Sequence, residues 1–261
     1  MRRMTSRLAV LTALLTGLVV LVGIDRVLVR SNSVQLFGGI VARVETTEPL
    51  VALTFDDGPR LDDLDEILET LARRAVRATF FVTGSRLALQ PESGHRLVAA
   101  GHELGNHSWS HERMVLRSAR FIRREVEETD AQIRSAGHRG EIYFRPPYGH
   151  KFVMLPWYLS RTGRTTVTWD IEPDSHPDVA SSASSIVAHV GERVRPGSII
   201  LLHPWSRARR TSRSAVPDLI DEVEKQGFRF VTLSELLRVK RSGLTLDDRP
   251  RSATLSQSRP R

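Results

Sequence analysis

The sequence predicts an α/β protein built on a parallel sheet, and two observations support this class. Short apolar runs alternate with segments of helical periodicity from Pro49 to Leu237, a pattern typical of β/α units. Polar residues that can carry chemistry follow several of these runs, as expected where an active site gathers at the carboxyl ends of parallel strands. With 261 residues the chain can form one sizeable domain, and about seven strands with intervening helices could close into a barrel.

The individual elements follow from local patterns. Apolar and β-branched runs bounded by Gly or Pro predict strands at residues 50–55, 78–82, 103–106, 142–145, 165–169, 198–202 and 228–233. Apolar residues at helical spacing predict helices at residues 61–75, 95–100, 117–136, 152–161, 184–194, 215–226 and 234–237. Around this domain, which we place at residues 49–238, we expect a linker at 26–48 and a disordered basic tail at 239–261.

The N-terminal segment predicts a membrane anchor. Arg2, Arg3 and Arg7 precede an uncharged, mostly apolar run over residues 8–24, which is just long enough to cross a hydrocarbon core of about 30 Å. Positive charge in front of the run keeps the N-terminus in the cytoplasm, so the rest of the chain is exported. Residues 1–25 are thus an anchor or a cleaved signal segment. The lack of an Ala-x-Ala pattern favours the anchor, whereas cleavage would make the protein secreted.

The charge balance and the absence of cysteine limit the function classes. Lys and Arg number 38 against 30 Asp and Glu, a formal net charge of +8. No nucleic-acid motif occurs, and the basic residues do not alternate with aromatic residues as a single-strand groove needs, so we expect no nucleic-acid partner. Since the chain has no cysteine, any metal must be bound by histidine and carboxylate.

The segment 54–59, Thr-Phe-Asp-Asp-Gly-Pro, follows the first predicted core strand. Two adjacent carboxylates, Asp56 and Asp57, therefore lie where that strand opens into a loop. Neighbouring carboxylates repel, and burial raises the pKa of at least one of them, so a cation beside the pair would explain it. A metal ion is the simplest such cation; the alternative is a solvated turn.

Two histidines lie four residues apart in a polar, Ser-rich loop after the third predicted strand. On a helical turn His107 and His111 would share a face, as two imidazole ligands must. Together with one aspartate they would form a set of three ligands that leaves positions open for water and substrate, as hydrolytic metal sites require. The alternative is a chance pair on a surface helix.

A rigid turn follows the fourth predicted strand. Arg145 precedes two prolines, which fix the backbone and lack N–H groups, so Tyr148 is the first later residue with a free N–H. A fixed loop that presents one backbone N–H suits an oxyanion, and Arg145 could hold a carboxylate with two hydrogen bonds. The alternative is a plain turn with a surface arginine.

The strand at 198–202 ends in His203, and three acids follow the strand at 165–169. A lone histidine there is commonly a structural one, but His203 would face the same mouth as the other strand-end groups. One of Asp170, Glu172 and Asp174 could orient His203 and stabilise its charge, and spacing alone does not select among them.

Together and in this order, these segments resemble the NodB-homology polysaccharide deacetylases, carbohydrate esterase family 4, over about residues 50–237. Segment 54–59 matches the first motif in full, residues 107–111 match His-Ser/Thr-x-x-His, and residues 145–149 match Arg-x-Pro-Tyr-Gly. Residues 78–81 and the segment around His203 also fit. The resemblance implies a distorted (β/α) barrel with fewer strands than eight and a divalent metal.

The resemblance also implies a role for each matching residue. The metal ligands would be Asp57, His107 and His111, with zinc the usual ion and cobalt, nickel or manganese as substitutes. The catalytic residues would be the base Asp56, the Arg145 that holds it, the Tyr148 N–H at the oxyanion, the general acid His203, and Asp174 or Asp170 to orient that acid.

The implied activity is hydrolysis of N-acetyl groups on amino-sugar glycans such as peptidoglycan or chitin-like polymers, with release of acetate. We expect a monomer whose partners are the N-acetylated glycan and, through its N-terminal helix, the membrane. The alternatives are an O-acetyl esterase of the acetylxylan type, a glycan-binding module with an inactive site, and a structural anchor protein. The complete set of base, acid and metal ligands argues against the inactive module.

The sequence departs from the family pattern at two places. Where many members end the fourth motif in Asp-Trp, this chain has Asp174 followed by Ser175, which leaves open the acid that orients His203 and the aromatic wall of the acetyl pocket. Pro204 stands where many members carry Asp or Asn. The basic loop 207–210 follows directly, and we consider binding of an anionic glycan or, equally, a solvated surface loop.

Overall fold

The computed structural model describes residues 2–242 of the chain. Its strands all pair in parallel, as predicted for an α/β protein. The strands are β1 (Ile40–Val41), β2 (Leu50–Gly58), β3 (Thr79–Val82), β4 (Glu103–Asn106), β5 (Thr166–Val167), β6 (Ile199–Leu202) and β7 (Arg229–Phe230).

Helices occupy most of the intervals between the strands. They are α1 (Arg2–Ile24), α2 (Leu61–Arg73), α3 (Gly84–Leu89), α4 (Pro91–Ala99), α5 (Ala119–Ser135), α6 (Met154–Arg161), α7 (Ala183–Gly191), α8 (Arg210–Lys225) and α9 (Leu233–Ser242). Serine side chains cap two of them: Ser118 accepts from the Phe121 N–H at the start of α5, and Ser182 accepts from the Ser185 N–H at the start of α7.

Strand β2 is central and fully covered. It pairs with β3 on one side and β6 on the other, β4 extends the sheet beyond β3, and β7 pairs with the start of β2. A strand covered on both faces must be apolar throughout, and the run from Leu50 to Leu53 is buried at every position. The carboxyl ends of β2, β4 and β6 therefore open toward one edge of the sheet.

The core lies on both sides of this sheet. One cluster joins α2, α7 and α8 to the face of β2 that carries Phe55, and a second packs α9 and Trp169 against Leu50 and Ala52. A third cluster joins α5 to α6 around Phe144. The alternation of side chains along β2 explains this division, because successive residues point to opposite faces.

The structure differs from the predicted elements at three places. Residues 142–145 do not form a ladder but make isolated bridges at Phe144, to Asn106 and to Thr166; the two prolines that follow remove donors that a strand would need. Helix α3 has no predicted counterpart. Strand β1 lies within the predicted linker 26–48 and pairs with β5, and Val44 there is fully buried.

The two ends of the chain bear on the predicted anchor and tail. Among the described residues one helix is long and apolar enough to cross a membrane, with its most apolar window at Thr12–Val29 near the N-terminus. At the other end α9 continues to Ser242, beyond the predicted helix end at residue 237. The rest of the predicted tail, residues 243–261, lies outside the described residues.

Candidate active site

The site is assembled at one edge of the sheet from four strand ends and turns. Asp56 and Asp57 are near the end of β2, His107 directly follows β4, and His203 directly follows β6. The Arg145 side chain reaches Asp56 from the turn after the Phe144 bridge. The structure thus brings together most of the predicted site residues, because parallel strands end at the same edge.

Asp57, His107 and His111 form a cluster whose potential ligand atoms all lie within 4.8 Å of one another. The Asp57 Oδ1 atom is 3.0 Å from His111 Nε2 and 3.4 Å from His107 Nε2. Asp57 adopts a positive φ of 69°, a conformation that a non-glycine residue rarely takes. This turn of the backbone directs the carboxylate toward the two imidazoles rather than into the sheet.

The donor set fits a divalent metal. The His107 Nδ1–H donates to the Arg145 carbonyl at 2.8 Å, which leaves Nε2 as the ligand atom, the usual arrangement of a metal-binding imidazole. Asp57 Oδ1 is buried and accepts no hydrogen bond from the described residues. Burial acts to raise the pKa of Asp57, but the neighbouring imidazoles of His107 and His111 hold that pKa well below its usual range. One carboxylate and two imidazoles suit zinc or a similar ion.

The two histidines lie in a loop, as the polar, Ser-rich sequence around them indicated, and not on a helical turn. Residues 107–111 form a loop in which Ser108 and His111 take positive φ values of 65° and 59°. The loop brings the two rings together, with centroids 4.9 Å apart. A helical turn would also place residues four apart on one face, but here the left-handed residues of the loop do so.

Glu125, a residue that the sequence analysis did not identify, holds this loop. It is fully buried on α5, and its Oε2 accepts from the backbone N–H groups of Trp109 and Ser110 and from the Ser110 hydroxyl. Asn106 accepts from the Ser108 N–H. An acidic residue in the apolar stripe of a helix was the available indication, since such a residue needs buried partners.

Asp56 is bound to Arg145, and both side chains are almost completely buried. The Arg145 Nη1 donates to Asp56 Oδ1 at 2.7 Å and to the Thr54 hydroxyl at 2.9 Å. Arg145 also donates to the carbonyls of Val167 and Thr168. With Oδ1 engaged, Asp56 Oδ2 faces His107 at 3.6 Å and is the oxygen available for proton transfer.

Tyr148 is exposed at the mouth of the site. Its φ of 59° and ψ of 12° are left-handed, and its ring lies 4.7 Å from the His111 ring. Within the described part of the chain its backbone N–H donates no hydrogen bond, whereas the N–H groups of Gly149 and His150 close the turn onto the two prolines. A free N–H beside a metal-binding set can stabilise a developing oxyanion.

Of the three acids, Asp174 is the one that is hydrogen-bonded to His203. Asp174 Oδ1 lies 3.0 Å from His203 Nδ1, and Oδ2 accepts from the His203 backbone N–H at 2.7 Å. The Ser212 hydroxyl donates to the same Oδ2, and Arg209 donates to the Asp174 carbonyl. The second oxygen of Asp174 is therefore held from the backbone and from α8, so the carboxylate is fixed in position.

This environment favours the charged form of His203. Burial acts to lower the pKa of His203, but the hydrogen bond and charge of Asp174 raise that pKa to about 9. Burial likewise acts to raise the pKa of Asp174, but the bonds from His203 and Ser212 lower it overall. At neutral pH His203 thus carries a proton, as a general acid requires.

Asp170 does not reach His203, which corrects one of the predicted roles. Its carboxylate accepts from the Ser198 hydroxyl at 2.9 Å and from the Ile199 N–H at 2.7 Å. These partners are at the start of β6, whereas His203 follows its end. Glu172 is the other acid near the site: its Oε1 lies 4.0 Å from His203 Nε2, and burial raises its pKa.

The fourth motif has Ser175 where many family members have a tryptophan, but two other tryptophans lie beside the site. Trp205 packs over Gly58 so closely that a Cβ there would come within 2.2 Å of the indole. Trp169 packs near Gly149, and the Arg145 guanidinium lies 5.6 Å from its ring centroid. Both indoles are buried. Aromatic side chains therefore lie beside the site although the residue after Asp174 is not aromatic.

The arginines of the basic loop 207–210 lie in two different environments. Arg209 is engaged with the Asp174 carbonyl, whereas Arg207 and Arg210 are exposed. The loop therefore contributes to the His203 environment through one arginine. The hypothesis of an anionic ligand rests on the other two.

A family model and similar proteins of known function point to the same family. A sequence model described as polysaccharide deacetylase matches residues 43–167. The chain is 31% identical over 214 residues to the peptidoglycan-N-acetylglucosamine deacetylase of Bacillus cereus, covering 78% of this chain and 95% of that protein. It is 33% identical over 198 residues to the peptidoglycan-N-acetylmuramic acid deacetylase PdaC of Bacillus subtilis, covering 76% of this chain but only 41% of PdaC.

A solved structure agrees with these relatives. The peptidoglycan N-acetylglucosamine deacetylase Bc1960, in complex with an N-hydroxybenzamide, superposes with a TM-score of 0.71. It is 28% identical and the match covers 75% of this chain and 91% of that one.

Proposed function

The chain belongs to the polysaccharide deacetylase family, and on that premise we propose that it hydrolyses N-acetyl groups of amino-sugar units in peptidoglycan. The observation that carries the proposal is one compact arrangement: a three-ligand metal set beside a buried Asp–Arg pair, with a protonated His–Asp pair after the neighbouring strand. This arrangement supplies both proton transfers of amide hydrolysis. The relatives that act on peptidoglycan favour that substrate.

The metal ligands in this proposal are Asp57, His107 and His111, and the ion is zinc. A bound divalent ion polarises the acetamide carbonyl and makes water a better nucleophile. The unsatisfied Asp57 Oδ1 and the His107 Nδ1–H donated to the Arg145 carbonyl support this assignment. The set contains no sulfur ligand and leaves room for substrate, as hydrolytic zinc sites do.

Asp56 is the base of the first step. Its Oδ2 takes a proton from the attacking water as the bond between the water oxygen and the carbonyl carbon forms. Arg145 holds Oδ1 at 2.7 Å, which fixes the direction of the carboxylate. The Tyr148 N–H stabilises the negative charge that develops on the carbonyl oxygen.

His203 is the acid of the second step. Its Nε2–H gives a proton to the amide nitrogen as the bond from that nitrogen to the carbonyl carbon breaks, because an amide nitrogen leaves poorly unless it is protonated. Asp174 keeps the imidazole charged and oriented through Nδ1. The products are acetate and a free amino sugar.

We further infer that the sheet closes into a distorted barrel and that α1 anchors the chain with its catalytic domain on the exported side. Bridges support the closure: from β4 through Phe144 to Thr166 on β5, and from Ile171 to Ile200 on β6. The basic N-terminus and the apolar window at Thr12–Val29 support the anchor. A monomer stays our expectation.

Acetate release tests the proposed function directly. The full chain in detergent is offered peptidoglycan, N-acetylglucosamine oligomers and acetylated xylan, first with chelator and then with zinc restored. We expect zinc-dependent release from peptidoglycan, and a drop of at least about 100-fold in kcat for Asp56→Asn and for His203→Ala, since each removes one proton transfer.

The other outcomes separate the alternatives. Release from acetylated xylan alone would establish the O-acetyl esterase in place of the amidase. Zinc binding without release from any of the three would contradict the proposal and favour a glycan-binding module. Unchanged release after Asp56→Asn would remove the assigned base.

A further inference from the structure

The segment that leaves the proposed membrane span is bound to the catalytic domain rather than free. The Lys151 backbone N–H donates to the Val29 carbonyl at 3.1 Å, and the buried Lys151 ammonium donates to the Ser31 carbonyl. Asn32 donates to the Trp169 carbonyl at 3.3 Å and accepts from the Thr168 hydroxyl at 2.6 Å. These bonds begin within the apolar window that ends at Val29.

The distance from the bilayer to this docking point is short. Helix α1 ends at Ile24, and the helical turn Asp25–Val29 continues from it. Even at the α-helical rise of 1.5 Å per residue, these five residues would span only about 7.5 Å. The headgroup region on each side of a hydrocarbon core is about 5–8 Å thick, so the docked part of the domain must lie at its level.

An exposed apolar surface surrounds this docking point. Val153 and Trp157 are 36% and 41% exposed, and their spacing of four places them on one face of α6, in line with Ser160 one turn further. Gly38 packs against Ser160. The segment 34–37 that leads to Gly38 exposes Val34, Leu36 and Phe37 at 41–44%. We call Val153, Trp157 and the segment 34–37 the α6 surface.

Basic residues lie beyond the α6 surface on the neighbouring helix. Helix α5 packs on α6 through a shared core cluster, and Arg120 and Arg124 are exposed on it. Arg113, also exposed, lies 5.3 Å from the Tyr148 ring centroid. Exposed apolar and aromatic residues beside arginines are typical of a surface that lies in a lipid headgroup region.

We propose that the α6 surface rests in the headgroup region of the membrane that α1 crosses, so that the mouth of the active site is held at the bilayer surface. The mouth is close to the docked segment. Asn32 Oδ1 would lie 3.4 Å from a Cβ atom built at Gly149, and Gly149 directly follows Tyr148 at the mouth. The glycan chains within reach are then those near the membrane. The proposal rests on the membrane span, and its consequence for substrate rests on the proposed function.

Site-directed spin labelling tests the contact, and the absence of cysteine in the chain makes single labels clean. The full chain carries Val153→Cys, or Ala188→Cys on the exposed side of α7 as the matched control, in phosphatidylethanolamine–phosphatidylglycerol vesicles. We expect the ratio of oxygen to chromium oxalate accessibility to be several-fold higher at position 153 than at 188. Equal ratios would overturn the proposal.

Two further measurements test the membrane span and the contacting side chains separately. Failure of the full chain to float with the vesicles after a carbonate wash would refute the membrane span itself. In a Phe37→Ser, Trp157→Ser variant the ratio at position 153 should fall toward that at 188; an unchanged ratio would show that these side chains do not make the contact.

The consequence for substrate has its own test. The same double variant should release acetate from a soluble N-acetylglucosamine oligomer at the normal rate, and several-fold more slowly from the same oligomer coupled to a vesicle lipid. Equal rates of the variant and the parent on both substrates would contradict the membrane-proximal role. Loss of turnover in the parent chain on both would instead refute the proposed function.

Discussion

His203 and Asp56 are prepared for opposite proton transfers by their different neighbours. The carboxylate of Asp174 favours the charged imidazole and raises the pKa of His203 to about 9. The guanidinium of Arg145 is bonded to Asp56 at 2.7 Å and fixes the direction of that carboxylate. In the proposed mechanism one group donates a proton and the other accepts one, as acid–base hydrolysis requires.

Asp174→Asn should lower kcat by about 10–100-fold at pH 8. Without the carboxylate the pKa of His203 falls toward its ordinary value, so the alkaline limb of the kcat/KM profile moves to lower pH. The interaction between protonated His203 and Asp174 also stabilises the folded state. This contribution to the free energy of unfolding is complete below about pH 6.5, the pKa of histidine in the unfolded chain, and is lost as the pH rises through about 9. A pH–rate profile measures the limb.

Asp170→Asn is the matched control for that change. Its carboxylate bonds Ser198 and Ile199 rather than His203. We expect a loss of stability with the alkaline limb unmoved. A shift of the limb equal to that of Asp174→Asn would contradict the assignment of Asp174 as the orienting acid.

Arg145→Met should lower the free energy of unfolding by about 3–5 kcal/mol, because it leaves the Asp56 carboxylate buried without its partner. Urea unfolding measures this. The double variant Arg145→Met, Asp56→Asn should recover part of the stability but no activity, since the base is gone. If the double variant were as unstable as the single one, the ion pair would not be the cause.

At the scale of elements, helix α5 supports the loop that carries both histidines of the proposed metal site. The loop has no regular secondary structure, and two of its residues take left-handed conformations, which cost energy unless the surroundings hold them. Glu125 supplies three hydrogen bonds to it from α5. The geometry of the metal set therefore depends on the packing of a helix that contributes no ligand.

Glu125→Ala should weaken zinc binding by about 10–100-fold, as losses of outer-shell partners do. Calorimetric zinc titration measures the change, and circular dichroism checks that α5 is retained. Glu128→Ala, at an exposed position of the same helix, is the matched control and should bind zinc normally. Equal affinities in the two variants would mean that the loop does not need Glu125.

At the scale of the whole molecule, the segment between the anchor and the first core strand is part of the domain. Strand β1 pairs with β5, the Val44 N–H bonds to the Gly197 carbonyl, and Lys151 is buried against Ser31. Residues 26–48 are polar and have no hydrophobic periodicity, which is why their sequence predicts a linker. Their contacts are made with residues more than 100 positions away, so local patterns do not reveal them.

A form that begins at Val27 should unfold at the temperature of the full domain, whereas one that begins at Glu45 should lose about 3 kcal/mol or more. The shorter form lacks the fully buried Val44 and leaves the Lys151 ammonium without the Ser31 carbonyl. Thermal unfolding of both forms measures the difference. Equal midpoints would show that residues 27–44 are indeed a linker.

The sequence by itself determined the α/β class, the central strand and the polar residues at the strand ends. These follow from local hydrophobic period, from turn residues and from motifs that lie within six consecutive positions, such as segment 54–59. They do not depend on distant parts of the chain. The candidate metal ligands could therefore be named from the sequence and its family resemblance, and in the structure they lie within 4.8 Å of one another.

Only the tertiary structure decided how these residues are joined. It selected Asp174 over Asp170 as the partner of His203, because that choice depends on which end of β6 each acid meets. It showed that the loop at residues 107–111 is held by hydrogen bonds to Glu125. Such contacts join residues far apart in sequence, and their positions are set by the packing of helices on the sheet, which no local pattern records.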